Sequence, residues 1–112
     1  MNLLCIDIGN TNIVIGTYNG SQLVGVNRIE TNHPNIEKEF DLKTPHYVAI
    51  SSVVPSIQKE VVKNLGLQDL FLVSHLNSNI SLDVDRPEEV GNDRICNIKA
   101  ALVKTLYPSI IV

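Results

Sequence analysis

A net charge of −3, 44% hydrophobic residues and 19% charged residues over 112 positions describe one globular domain with a real core, excluding disordered and membrane-spanning classes. No apolar stretch approaches the roughly 20 residues of a transmembrane helix, and the N-terminus lacks the basic flank and cleavage site of a signal peptide. The acidic balance, the absence of tryptophan and an aromatic content of 4% remove the footprint of nucleic-acid binding, so neither nucleic acid nor membrane is expected as a partner, and the expected location is cytoplasmic.

The chain opens on an apolar run, residues 3–6, that carries Asp7 and breaks at Gly9-Asn10, residues that tolerate positive φ in a tight reversal. Residues 13–18 form a second β-rich run. Asn19-Gly20 is the strongest short hairpin signal a sequence offers, and Leu23, Val24, Val26 and Ile29 supply a third strand. From Thr31 to Thr44 the pattern changes: after a breaker at His33-Pro34, Asn35 caps a short helix through Ile36 and Phe40. His33 and His46 have no ligand spacing and read as solvated.

Residues 46–52 suit a buried parallel strand. Pro55 begins a helix in which Ile57, Val61, Val62 and Leu65 share a face, with Gly66 as its stop. Residues 67–73 return as a strand, and the strand, helix, strand order implies a right-handed crossover. Residues 74–85 are polar and turn-rich, with Ile80 and Leu82 available for a short edge strand. Ile95, Ile98, Leu102 and Leu106 mark a last helix stopped at Tyr107-Pro108, and residues 109–112 read as a strand begun and unfinished. Cys5 and Cys96 fall in no C-x-x-C or Cys/His pattern and are expected as buried free thiols.

Two constellations carry chemistry. In Asp7-Ile8-Gly9-Asn10-Thr11-Asn12 an acid leaves a strand beside a loop of small polar residues. Such a loop offers N–H groups and hydroxyls to a phosphate, and the carboxylate can hold the accompanying metal. The same residues are also ordinary turn formers. Gly91-Asn92-Asp93-Arg94 places a carboxylate and a guanidinium at a helix start, where anions bind well and arginine grips acids through paired donors. The plainer reading is that Asp93 complements the helix dipole while Arg94 points into water or pairs with Glu88 or Glu89.

The first run resembles the D-x-G-x-T phosphate motif of the acetate and sugar kinase, Hsp70 and actin superfamily, and in the form D-I-G-N-T-N it resembles the type III pantothenate kinases. Two further runs match that family in order: Ser51-Ser52-Val53-Val54-Pro55, and the G-x-D-R of Gly91-Asn92-Asp93-Arg94 preceded by Pro87, Glu89 and Val90. The resemblance spans nearly the whole chain. It implies an α/β fold: a ribonuclease H-like mixed sheet, three antiparallel strands first and parallel strands after, with flanking helices, as in the actin-like ATPase domain. Residues 1–112 are then expected to be an N-terminal domain truncated before a second one, with little activity alone.

The implied reaction is ATP-dependent phosphorylation of the 4′-hydroxyl of pantothenate, the first step of coenzyme A synthesis. By resemblance, Asp7, Gly9, Asn10, Thr11 and Asn12 are expected at the ATP phosphates, with Asp7 on Mg²⁺. Gly91, Asn92, Asp93 and Arg94 are expected to bind pantothenate, with Asp93 orienting and then deprotonating its hydroxyl. A monovalent cation, K⁺ or NH₄⁺, and a homodimeric full-length form also come with the family. A non-catalytic accessory or binding protein that retains the fold is the alternative. The sequence departs from the family at Val84, where many members have tyrosine, and in a short stretch ahead of Ser51. The second phosphate motif, D-x-G-T-x-T, is expected beyond Val112.

Overall fold

The computed structural model describes residues 2–32, 46–65, 70–104 and 110. Five strands form one mixed sheet in the order β3-β2-β1-β4-β5: β1 is Asn2–Ile8, β2 Asn12–Asn19, β3 Gln22–Glu30, β4 His46–Ser52 and β5 Leu70–Leu72. β2 pairs antiparallel with β1 and β3, whereas β4 pairs parallel with β1 and β5. This is the α/β architecture expected of a partial actin-like, ribonuclease H-like fold.

The pleat sorts β1 into two faces, because successive side chains point to opposite sides of a sheet. Leu4, Ile6 and Ile8 are fully buried with Ile13, Ile15, Val48 and Ile50, and helix α1, Pro55–Leu65, closes that layer with Val61 and Leu65. At about 1.5–3 kcal/mol for each fully buried aliphatic side chain, this layer is the main favourable term in the fold. The intervening residues Cys5 and Asp7 face the other way, toward helix α2, Asn92–Val103. The α1 face is therefore the buried core, and Cys5 and Asp7 lie on the α2 face.

Local sequence explains the junctions. Val54 N–H donates to Ser52 Oγ at 3.0 Å, turning the end of β4 into α1, where Pro55 occupies the first helical position without wasting a donor. The hairpin between β2 and β3 forms as expected, but Asn19 pairs with Gln22, so Gly20-Ser21 is the loop. Among the loop residues only Gly20 has positive φ, at 62°, the pattern of a type II′ turn.

Several expectations are corrected. Gly9 and Asn10 do not take positive φ. Gly9 is instead crowded: a Cβ there would lie 3.1 Å from Asn12 O, the atom that accepts its N–H at 2.9 Å. Ile80 and Leu82 add no edge strand, because Asn79 turns into the left-handed region at φ 54°. Just upstream, Asn77 Nδ2 caps Leu72 O at 2.6 Å and closes β5. β5 itself covers Leu70–Leu72, prolonged by a bond from Val73 N–H to Ile50 O at 2.8 Å. The helix from Asn35, the side chains of His33 and His46, the Gly66 and Tyr107-Pro108 stops and, apart from Ile110, the strand over residues 109–112 lie outside the described residues.

Candidate functional site

The three motifs singled out by sequence meet at the carboxyl ends of β1 and β4, the edge where ligands of open α/β sheets lie. Val53 N–H donates to Ile8 O at 3.1 Å, tying β4 to β1. Asn92 Nδ2 donates to Ser52 O at 2.9 Å, tying the start of α2 to β4. Just past β3, Thr31 reaches the first motif: its Oγ1 donates to Gly9 O at 2.8 Å and its N–H to Thr11 O at 3.0 Å.

Asp7 and Asp93 line one groove of about 750 Å³. Its floor is the sheet face that α1 leaves open, with Cys5, Ala49 and Ser51, and its wall is α2, with Cys96 and Ala100. Burial pushes the Asp7 carboxyl above its ordinary value, and the negative charge of Asp93 raises it further. Asp7 is exposed by surface area, yet protein encloses part of its surroundings, so water screens one side of the carboxylate. No Lys or Arg among the described residues lines the groove. Two acids with no basic partner make it a place for a cation or a hydrogen-bond donor.

Both thiols are free and half-buried in that same groove, rather than fully buried in the core as the sequence suggests. Burial raises the pKa of Cys5, with Cys96 adding to it. Burial also raises Cys96, and Asp7 and Asp93 push the same way, while Ser51 favours the thiolate. That contact is weaker than a hydrogen bond of ordinary geometry, since Ser51 Oγ makes none among the described residues.

The other expected site residues divide. Asn10, Thr11 and Asn12 line a separate recess of about 370 Å³ with Glu30 and Asn32. Gly9 lines neither cavity, and its N–H is already committed to Asn12 O. Asn92 is spent on Ser52 O, and Asp93 Oδ1 accepts the Arg94 N–H at 2.8 Å. The Arg94 side chain is exposed and forms no ion pair among the described residues; Glu89 pairs instead with Arg86 at 3.1 Å. Val84, at the position of the family tyrosine, is half-exposed outside the groove. Sequence reasoning missed Thr31 and Cys96 and gave Ser51 only as part of a family motif with no site role, because their places depend on pairing and packing across long separations.

A family model described as type III pantothenate kinase matches residues 3–112. The chain belongs to the type III pantothenate kinase family. Similar relatives named type III pantothenate kinase include a protein of Thermus thermophilus, 31% identical over 123 residues covering 96% of this chain and 47% of the relative, and one of Halalkalibacterium halodurans, 31% identical over 127 residues covering 98% and 50%. A third, from an Anaeromyxobacter species, is 33% identical over 116 residues covering 88% and 46%. The chain thus spans about half the length of the curated relatives it matches. In type III pantothenate kinase terms, the described groove joins the D-I-G-N-T-N acid to the G-x-D-R acid.

Proposed function

We propose that these 112 residues form the N-terminal actin-like domain of a type III pantothenate kinase and supply one half of a site that transfers the γ-phosphoryl group of ATP to the 4′-hydroxyl of pantothenate. The observation that carries this reading is that Asp7 and Asp93, 86 positions apart in the sequence, line one groove. Phosphoryl transfer is catalysed mainly by positioning and charge stabilisation, so an acid for the metal side and an acid for the acceptor side meet its first demands.

Asp93 faces the groove from the first turn of α2, where it can orient the acceptor hydroxyl and take its proton as the new P–O bond forms. Arg94 is exposed and free to grip a carboxylate such as that of pantothenate. The donor set suits Mg²⁺: carboxylate oxygen on a groove without basic residues, and no cage of three or more His, Cys, Asp or Glu among the described residues. Mg²⁺ characteristically binds through one or two carboxylates plus substrate phosphates, and when bound it neutralises charge on the phosphates. Asp7 is its ligand in this reading, directly or through water. In this reading Asn10, Thr11 and Asn12, which line a recess of their own, meet the ATP phosphates.

A monovalent cation (K⁺ or NH₄⁺), a homodimer and a cytoplasmic location belong to the same proposal and rest on the family alone. Among the described residues no helix is long and apolar enough to cross a membrane. Residues 1–112 alone are expected to turn over little, because one wall of a cleft neither excludes water nor holds both ends of ATP. The test is ATP- and pantothenate-dependent ADP release by the full-length protein with K⁺ or NH₄⁺ supplied. Release that needs both substrates supports the reading; its absence leaves a non-catalytic binding protein with this fold.

A further inference from the structure

Three polar side chains are buried among the described residues: Thr31, Ser51 and Ser52. Two of them serve the backbone. Thr31 Oγ1 donates to Gly9 O, and Ser52 Oγ accepts the Val54 N–H. Ser51 serves no backbone group: it is 7% exposed, and its Oγ lies against the Cys96 thiol but makes no hydrogen bond of ordinary geometry among the described residues.

The β1–β4 register puts Ser51 directly beside Asp7, and both line the groove that Asp93 closes from α2. A buried hydroxyl without a partner is costly, and alanine at this position would hold the strand without that cost. Such a group is explained where a ligand completes it. Ser51 is also the neutral hydroxyl placed next to Asp7, on the floor of a groove lined by no basic side chain.

We propose that Ser51 is a ligand-contacting residue, its hydroxyl bonded to an oxygen held between Asp7 and Asp93 that belongs to the cation and phosphate end of the nucleotide. The oxygen is either a phosphate oxygen, which accepts a hydrogen bond from the Ser51 hydroxyl, or that of a cation-bound water, which donates one to Ser51 Oγ. This assignment rests on the phosphotransfer reading above and adds a residue to it. It also accounts for the cost left in the unliganded fold, since the hydroxyl contributes only once the groove is filled.

The experiment compares full-length wild type with Ser51→Ala by calorimetric binding of MgATP, calorimetric binding of pantothenate, and urea denaturation with and without MgATP. We expect Ser51→Ala to bind MgATP about tenfold more weakly, the worth of one ligand hydrogen bond. Pantothenate affinity should hold within twofold, and the unliganded variant should be as stable as wild type or more so. A deficit that persists at saturating Mg²⁺ identifies the phosphate oxygen; one that closes as Mg²⁺ rises identifies the cation-bound water. The proposal is overturned by MgATP affinity within twofold of wild type, by weakened pantothenate binding alone, or by an unliganded variant less stable than wild type, which would reveal a structural partner for the hydroxyl. Wild type that binds no MgATP removes the phosphotransfer reading and this assignment together. Wild type that binds while Ser51→Ala binds equally removes this assignment only.

Discussion

Gly91→Ala should separate stability from catalysis. Gly91 sits at φ −58°, ψ 140°, a conformation open to any residue, so its requirement is space rather than torsion. A Cβ there would stand 2.7 Å from Asp93 Oδ1, and real Cβ atoms essentially never approach closer than 3.0 Å. The carboxylate must therefore retreat by at least 0.3 Å, the difference of those two distances, and strain or lose the 2.8 Å bond it accepts from the Arg94 N–H. An off-rotamer side chain costs about 0.5–1.5 kcal/mol and a lost exposed hydrogen bond a similar amount, small against total stabilities of about 5–15 kcal/mol. Catalysis is more sensitive, since a misplacement of about 1 Å costs on the order of 100-fold. A displacement of some tenths of an ångström should lower kcat about tenfold. Steady-state ADP release and urea denaturation of the full-length variant measure both. A folded Gly91→Ala enzyme with kcat within twofold of wild type would refute the claim that the groove needs the Asp93 carboxylate where it stands.

Thr31→Val should destabilise the protein by about 1–3 kcal/mol, because it strips the partner from Gly9 O at a position that is 5% exposed. A urea midpoint equal to that of wild type would contradict this. Asp7→Asn tests the pH linkage. The folded chain holds the Asp7 proton above pH 3.8, where the unfolded chain has lost it, so wild type should lose stability relative to the variant as pH rises from 3.8 through the raised folded value. A wild-type minus variant difference that is flat or rises across that window would show that Asp7 is not disfavoured as a carboxylate.

Much of the framework is legible in the chain. Alternation at Leu4, Ile6 and Ile8, repeated at Ile13 and Ile15 and at Val48 and Ile50, announces strands with one dry face, because burial must follow the two-residue period of a pleat. The spacing of Val61 and Leu65 likewise gives the face of α1 that covers it. The site is legible at its two acids and less so around them. Ser51 acquires its meaning from a parallel register that pairs it with Asp7, 44 residues away, and Thr31 from a bond to Gly9 O across 22 residues. No local propensity encodes either. Asn10, Thr11 and Asn12 follow Asp7 closely in sequence, yet the reversal between β1 and β2 carries them to a different recess. A contiguous motif is read as one site, while the turn within it faces two ways.

The most direct test of the shared groove is the titration of the Asp7 carboxyl by ¹³C NMR in the full-length protein, wild type against Asp93→Asn. Asp7 should titrate above 3.8 in wild type and move down toward that value when the Asp93 charge is removed. The same Asp7 midpoint in both proteins would mean that the two carboxylates do not feel each other, and the groove would lose its claim to be one site.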